Sequence, residues 1–125
     1  MDRDTNLAEL KLLVTKFRLE RDWDKHFTPK DTAISIALEA AELLEHFQWD
    51  KLMKEDNDKI ANELADILIF CFHFATLYDF DISTIFKNKL AKAELKYPVE
   101  IFNKATMAAD EFHKIKQDHR QNNAA

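Results

Sequence analysis

Glu39 and Glu42 stand three residues apart in the stretch ALEAAELLEHFQW, and Glu63 and Asp66 repeat that spacing in ELADILIFC. On a helix, residues three apart share a face, one turn up. Each segment therefore presents a carboxylate pair, and packing the two strips together gathers four acids. Four such charges in a partly buried site repel one another and are costly to desolvate unless a cation compensates. Ligation by oxygen alone suits a hard divalent ion, magnesium with manganese as a substitute. Such an ion activates water and stabilises charge on phosphoryl oxygens, so the chemistry on offer is metal-assisted hydrolysis.

The elements that must position these acids are unusually apolar helices. In the first segment Ile34, Ala37, Leu38, Ala41 and Leu44 cover one side, and Ile36, Ala40, Leu43 and Phe47 another. Only Ser35, Glu39, Glu42 and His46 remain as a polar strip. In the second segment Leu64, Ala65, Ile67, Leu68, Cys71, Phe72 and Ala75 wrap most of the circumference. Its polar strip is Lys59, Glu63, Asp66 and His73, with Phe70 between. A helix apolar nearly all round belongs inside a bundle or an oligomer, so these strips are not solvated faces. Neither histidine makes the Glu-x-x-His spacing of di-iron bundles, since Glu45 follows Glu42 by three and Ile69 follows Asp66 by three.

Four main helices and a weaker tail are expected. The first spans about Thr5 to Asp22, with Leu7, Leu10, Leu13, Val14 and Phe17 at helical spacing. Thr28-Pro29 reads as an N-cap and first-turn proline opening a helix to about Trp49. A charged loop, Asp50 to Asp56, leads to a third helix at about Asn57 to Tyr78. Asp81 caps the fourth, which ends near Lys96 before Pro98. One more amphipathic helix fits after that, ahead of a polar tail at about 117–125.

The 125 residues are expected to form one domain, 1–125, that is all-α, because the chain contains no Gly and only two Pro. A net charge of -5 argues against a nucleic-acid partner. The single cysteine, Cys71, excludes a disulfide framework and makes a cytoplasmic setting the expectation. No membrane is expected: MDRDTNLAEL lacks the apolar core of a signal peptide, and the greasy run Ile67 to Leu77 falls short of the roughly 20 residues of a span. Ten phenylalanines are more than four helices can hide, which predicts a homodimer or homotetramer.

The pattern Glu39-x-x-Glu42 with Glu63-x-x-Asp66 resembles the all-α NTP pyrophosphatases, in the MazG-like and dCTP-pyrophosphatase branch. FRLERDWDKHFTPKD is similar to that branch's lead-in, HFQW to the close of its first acidic helix, and KLAKAELKYP to its fourth helix. The resemblance covers about Phe17 to Pro98. It implies an oligomeric four-helix bundle that cleaves nucleoside triphosphates to monophosphate and pyrophosphate with magnesium. The implied metal ligands are Glu39, Glu42, Glu63 and Asp66, and Trp23 and Trp49 stand where relatives enclose the base. Phe70 replaces a tyrosine of the branch, Ala93 an asparagine and Leu95 an arginine, while Leu38 takes the first acidic place of the longer motif.

Attack is expected at the α-phosphorus, with Glu42, and Glu39 beside it, handling the water's proton. Arg21, Lys25, Lys30, Lys89 and Lys92 are the cations expected to meet the outer phosphates. The substrates expected are standard or modified deoxynucleoside triphosphates, cytosine-type bases first. The alternative is a helical interaction protein in which the acids only form structural salt bridges with lysines.

Overall fold

The computed structural model describes residues 1–48, 57–102 and 109–123. They are all-α, with helices α1 (Leu7–Glu20), α2 (Pro29–Glu45), α3 (Asn57–Leu77), α4 (Ile82–Lys96), α5 (Val99–Phe102) and α6 (Ala109–Asn123), and a 3-10 turn at Trp23–Lys25. The chain falls into two compact units, Met1–Ile82 and Ser83–Ala125. Trp49 and the charged loop Asp50 to Asp56 lie outside the described residues.

Local chemistry fixes the helix starts. At α1 the Asn6 side chain accepts from the Glu9 amide (2.9 Å) while Glu9 accepts from the Asn6 amide (3.0 Å), satisfying two of the four orphan donors. At α2 Thr28 and Asp31 form the same reciprocal box, with Pro29 in the first turn. The amide and hydroxyl of Thr28 both donate to Asp31, holding its carboxyl below the usual carboxylate range. A chain without glycine must use other residues for left-handed turns. Asp22 (φ 54°) and Asp79 (φ 52°) take that conformation, which short polar side chains tolerate best.

In the first unit α2 packs on α3, and α1 packs on α3. Lys11 on α1 donates to the Phe80 carbonyl at 2.7 Å, fastening the turn that follows α3. Glu39 lies inside as the sequence leads one to expect, but Glu42 and the apolar sides do not. On α2 the shielded stripe is Thr32, Ser35, Ile36, Glu39, Leu43 and His46, while Glu42 is exposed. Leu38 and Leu44 are 59% and 63% exposed. On α3 Glu63 is half-buried while Leu64, Leu68 and Ile69 are exposed. On α1 Leu13 and Phe17, expected in the apolar stripe, are exposed, and Arg18 takes the buried place instead. An apolar groove of about 430 Å³ runs between α1 and α3, lined by Leu10, Leu13, Val14, Phe17, Leu68 and Ile69 among others.

The greasy run read from sequence belongs to a longer element. α3 has 21 residues, and an 18-residue window of it has a mean hydropathy of 1.5, long and apolar enough to cross a membrane by those measures. Its Glu63 and Asp66 sit in the cluster shared with α2, which is the setting of a bundle helix.

In the second unit α6 continues to Asn123, beyond the point near residue 117 where a polar tail is expected. Its Lys, Gln and Arg residues are good helix formers, and propensity carries the helix on where apolar periodicity stops. Lys89, Lys92, Lys96, Tyr97, Lys116 and Arg120 line a cavity of about 640 Å³ in this unit.

Candidate metal centre

The α2 and α3 strips meet. Glu39, Glu63 and Asp66 each bring a carboxylate oxygen to within 4.8 Å of the others. Ligands opposite one another on a magnesium ion stand about 4.2 Å apart, twice the usual bond length, so small rotamer adjustments suffice. Oε2 of Glu39 and Oε2 of Glu63 are shielded from solvent without a protein hydrogen-bond partner. Buried carboxylate oxygens without partners are costly, and a cation among three of them removes that cost. The donor set is oxygen throughout, so the residues present fit a hard divalent ion.

Glu39 reports the electrostatics of the cluster. Burial, then a hydrogen bond with Glu42 and repulsion from Glu42, Asp66 and Glu63, push its carboxyl above the usual range. Two carboxylates can share a hydrogen bond only if one holds a proton, which a metal ion would displace. Glu42 itself is exposed, one turn along from Glu39 and outside the three-acid cluster. His46, at the end of α2, places Nε2 3.4 Å from Oε1 of Glu63. Such a contact orients a carboxylate from behind.

The aromatic and cationic residues singled out in the sequence are placed as follows. Trp23, 42% exposed, sits on the 3-10 turn, its indole meeting Phe17 edge to face at 5.4 Å. Phe70 is half-buried on α3, one turn beyond Asp66. Arg21 lies over the Phe17 ring at 3.7 Å and donates to the Phe17 carbonyl at 3.0 Å. Lys25 pairs with Asp22 at 2.6 Å, and Lys30 is exposed in the first turn of α2. Lys89 and Lys92 belong to the cavity of the second unit. His73, read as part of the acidic strip, is instead 3% exposed and lies 3.7 Å from Asp24.

Arg18 is a residue that sequence reasoning missed. It is 4% exposed, and its Nε donates to Asp24 Oδ1 at 2.9 Å. The signal was available: Leu7, Leu10, Val14 and Arg18 continue one helical stripe, so a cation stood where an apolar residue was due.

Three comparisons bear on this arrangement. The chain is 24% identical over 106 residues to rat dCTP pyrophosphatase 1, and 26% identical to the bovine protein of the same name. Both alignments cover 78% of this chain, which spans 62% of the rat protein's length and 63% of the bovine protein's. The crystal structure of a pyrophosphatase from Archaeoglobus fulgidus is similar at 35% identity and a TM-score of 0.68, over 73% of this chain and 91% of that one. The profile of the MazG-like family matches residues 34–117, which takes in Glu39, Glu42, Glu63 and Asp66. The chain belongs to the MazG-like family.

Proposed function

We propose that this chain is a divalent-metal-dependent nucleoside triphosphate pyrophosphohydrolase, releasing pyrophosphate and the monophosphate. The observation that carries it is the convergence of Glu39, Glu63 and Asp66, with two shielded oxygens that no group among the described residues satisfies. None of the described lysines or arginines forms an ion pair with these three acids; the described pairs go to Glu20, Asp22 and Asp24 instead. That favours a cation site over the structural salt bridges of an interaction protein.

Glu39, Glu63 and Asp66 would hold magnesium, with manganese as a substitute and Glu42 as a fourth ligand one turn away. The ion would supply a water of lowered pKa and charge neutralisation on the phosphates. Glu42, exposed and beside Glu39, would accept the water's proton. Glu39 would stand next to it as an ionised ligand, His46 would hold Glu63 in orientation, and Trp23 with Trp49 would stack on the base. Arg21, Lys25 and Lys30 supply the cations for the outer phosphates, and Phe70 an apolar neighbour one turn beyond Asp66. The name dCTP pyrophosphatase 1 borne by the relatives supports cytosine-type deoxynucleotides, standard or modified, as substrates; a house-cleaning role is proposed with them.

The active form is a homo-oligomer, dimer or tetramer, of four-helix bundle type. Within one chain Glu39 of α2 faces inward while Leu38 and Leu44 face water, the reverse of a lone soluble helix. A second copy is the occupant that covers those faces.

The deciding experiment is pyrophosphate release over a panel of nucleoside triphosphates, with and without magnesium, for the parent chain and Glu42→Gln. Metal-dependent turnover that the variant loses by about 100-fold or more supports the reading. Turnover of no nucleotide under any metal condition sinks it.

A further inference from the structure

We propose that Asp24, exposed itself but held by the buried Arg18 and beside the buried His73, is a positioning device for Trp23, holding its turn rigid as a wall of the base pocket. It rests on the base-stacking role given to Trp23 above.

Trp23 has little to hold it. It is 42% exposed, and its described ring contact is the single edge-to-face pairing with Phe17. Its turn is three residues of 3-10 helix, a geometry with poorer hydrogen bonds than an α-helix. The chain enters that turn through Asp22 at φ 54°, a left-handed conformation unfavourable for a residue with a Cβ. Backbone of this kind persists only where the surroundings over-determine it.

The next residue, Asp24, supplies the determination. Its Oδ1 accepts from Arg18 Nε at 2.9 Å and lies 3.7 Å from His73 Nε2. Arg18 belongs to α1 and His73 to α3, and both are more than nine-tenths buried, so one carboxylate is bonded to α1 and rests beside the packed surface of α3. Arg18 also faces the Phe27 ring at 5.5 Å, which steadies the segment leading into α2. A buried arginine is an expensive way to fill a core, and an apolar residue of similar volume would commonly serve stability as well or better. What the arginine adds is geometry. Among the described groups, Nη2 of Arg18 and Nε2 of His73 find no hydrogen-bond partner, and the Nε bond to Asp24 is the polar contact that Arg18 makes.

The test uses Asp24→Asn and Arg18→Met, each in the full chain and in a Trp49→Phe background where Trp23 is the sole indole. Time-resolved fluorescence anisotropy reads the nanosecond mobility of Trp23. Kinetics on the preferred nucleotide with magnesium read KM and kcat, and manganese titration reads the acidic cluster. Expected are a more mobile Trp23, a KM raised about tenfold through weakened base stacking, kcat within about twofold, and unchanged manganese affinity. Asp24→Glu should recover part of the KM. A Trp23 as rigid in a folded variant as in the parent overturns the proposal, as does a fall in kcat at constant KM. Should Asp24→Asn not fold, Arg18→Met decides by the same readings. If the parent turns over no nucleotide, the anisotropy still decides the tether, and the failure falls on the proposed hydrolase alone.

Discussion

Glu39 on α2 and Glu63 on α3 each turn one carboxylate oxygen, Oε2, away from solvent without a protein hydrogen bond to receive it. Two helices that pack with such groups face to face lose stability to their own site. A divalent ion should return it. A ligand that binds only the folded state stabilises by about 2.7 kcal/mol at a hundred times its dissociation constant. Melting temperature should therefore rise with magnesium or manganese, and sodium at equal ionic strength should not reproduce it. Glu63→Gln should melt no lower than the metal-free parent and should lose most of the metal-dependent rise. A parent indifferent to both ions in differential scanning calorimetry would remove the metal centre.

His46 tests the site from behind. Its Nε2 stands 3.4 Å from Glu63 Oε1, a contact between the end of α2 and the first turns of α3. Groups that orient a ligating carboxylate typically contribute 10- to 100-fold in metal affinity. His46→Ala should weaken manganese binding, followed by electron paramagnetic resonance, by about that factor. His46→Gln, which keeps a donor, should lose less. Equal affinity in the alanine variant would reduce the histidine to helix capping.

How far the sequence foretold this site depends on what kind of signal each residue carries. Thr28-Pro29 and Pro98 mark helix ends through backbone chemistry that acts locally, and α2 begins and α4 stops where they say. The spacing of Glu39 with Glu42, and of Glu63 with Asp66, is equally local, because helical geometry alone puts each pair on one face. Which face turns inward is not local. Leu38 and Glu39 are neighbours with opposite fates, and their order is set by what α3 presents across the helix pair. Arg18 escaped for a related reason: a charge in an apolar stripe reads as an interruption until its partner, Asp24, is seen in space.

His73 makes acid stability a measurement. Burial, and then the Arg18 guanidinium, hold its pKa below the ordinary 6.5, against an opposing pull from Asp24. Above pH 6.5 the imidazole is neutral in folded and unfolded chains and contributes no slope. Below it the unfolded chain takes up a proton that the folded chain refuses, so stability falls as pH drops towards the lowered native value. Glu39 works in the other direction, since its raised pKa favours the folded form as acid is added. Saturating magnesium should keep Glu39 ionised and leave the histidine slope exposed. Urea unfolding between about pH 7 and 5 should then show a decline that His73→Gln flattens. A slope unchanged by the substitution would mean the histidine is charged in the folded protein.

The exposed apolar faces lead to the last prediction. Leu13 is 63% exposed and Leu68 45%, and both line the groove between α1 and α3. Soluble monomers rarely leave contiguous apolar surface of this kind to water. If a second copy covers the groove, placing a charge there buries an unpaired ion in the assembly, at a cost of several kcal/mol. Leu68→Asp should therefore lower the mass measured by light scattering after gel filtration from a dimer or tetramer to a monomer. In a single chain the same position is open to solvent, so the variant's far-ultraviolet circular dichroism should stay helical. Activity should fall with the mass if the nucleotide site needs both copies. A parent chain that runs as a monomer at tens of micromolar would end the oligomer proposal, and would leave the outward leucines of α2 and α3 without an occupant.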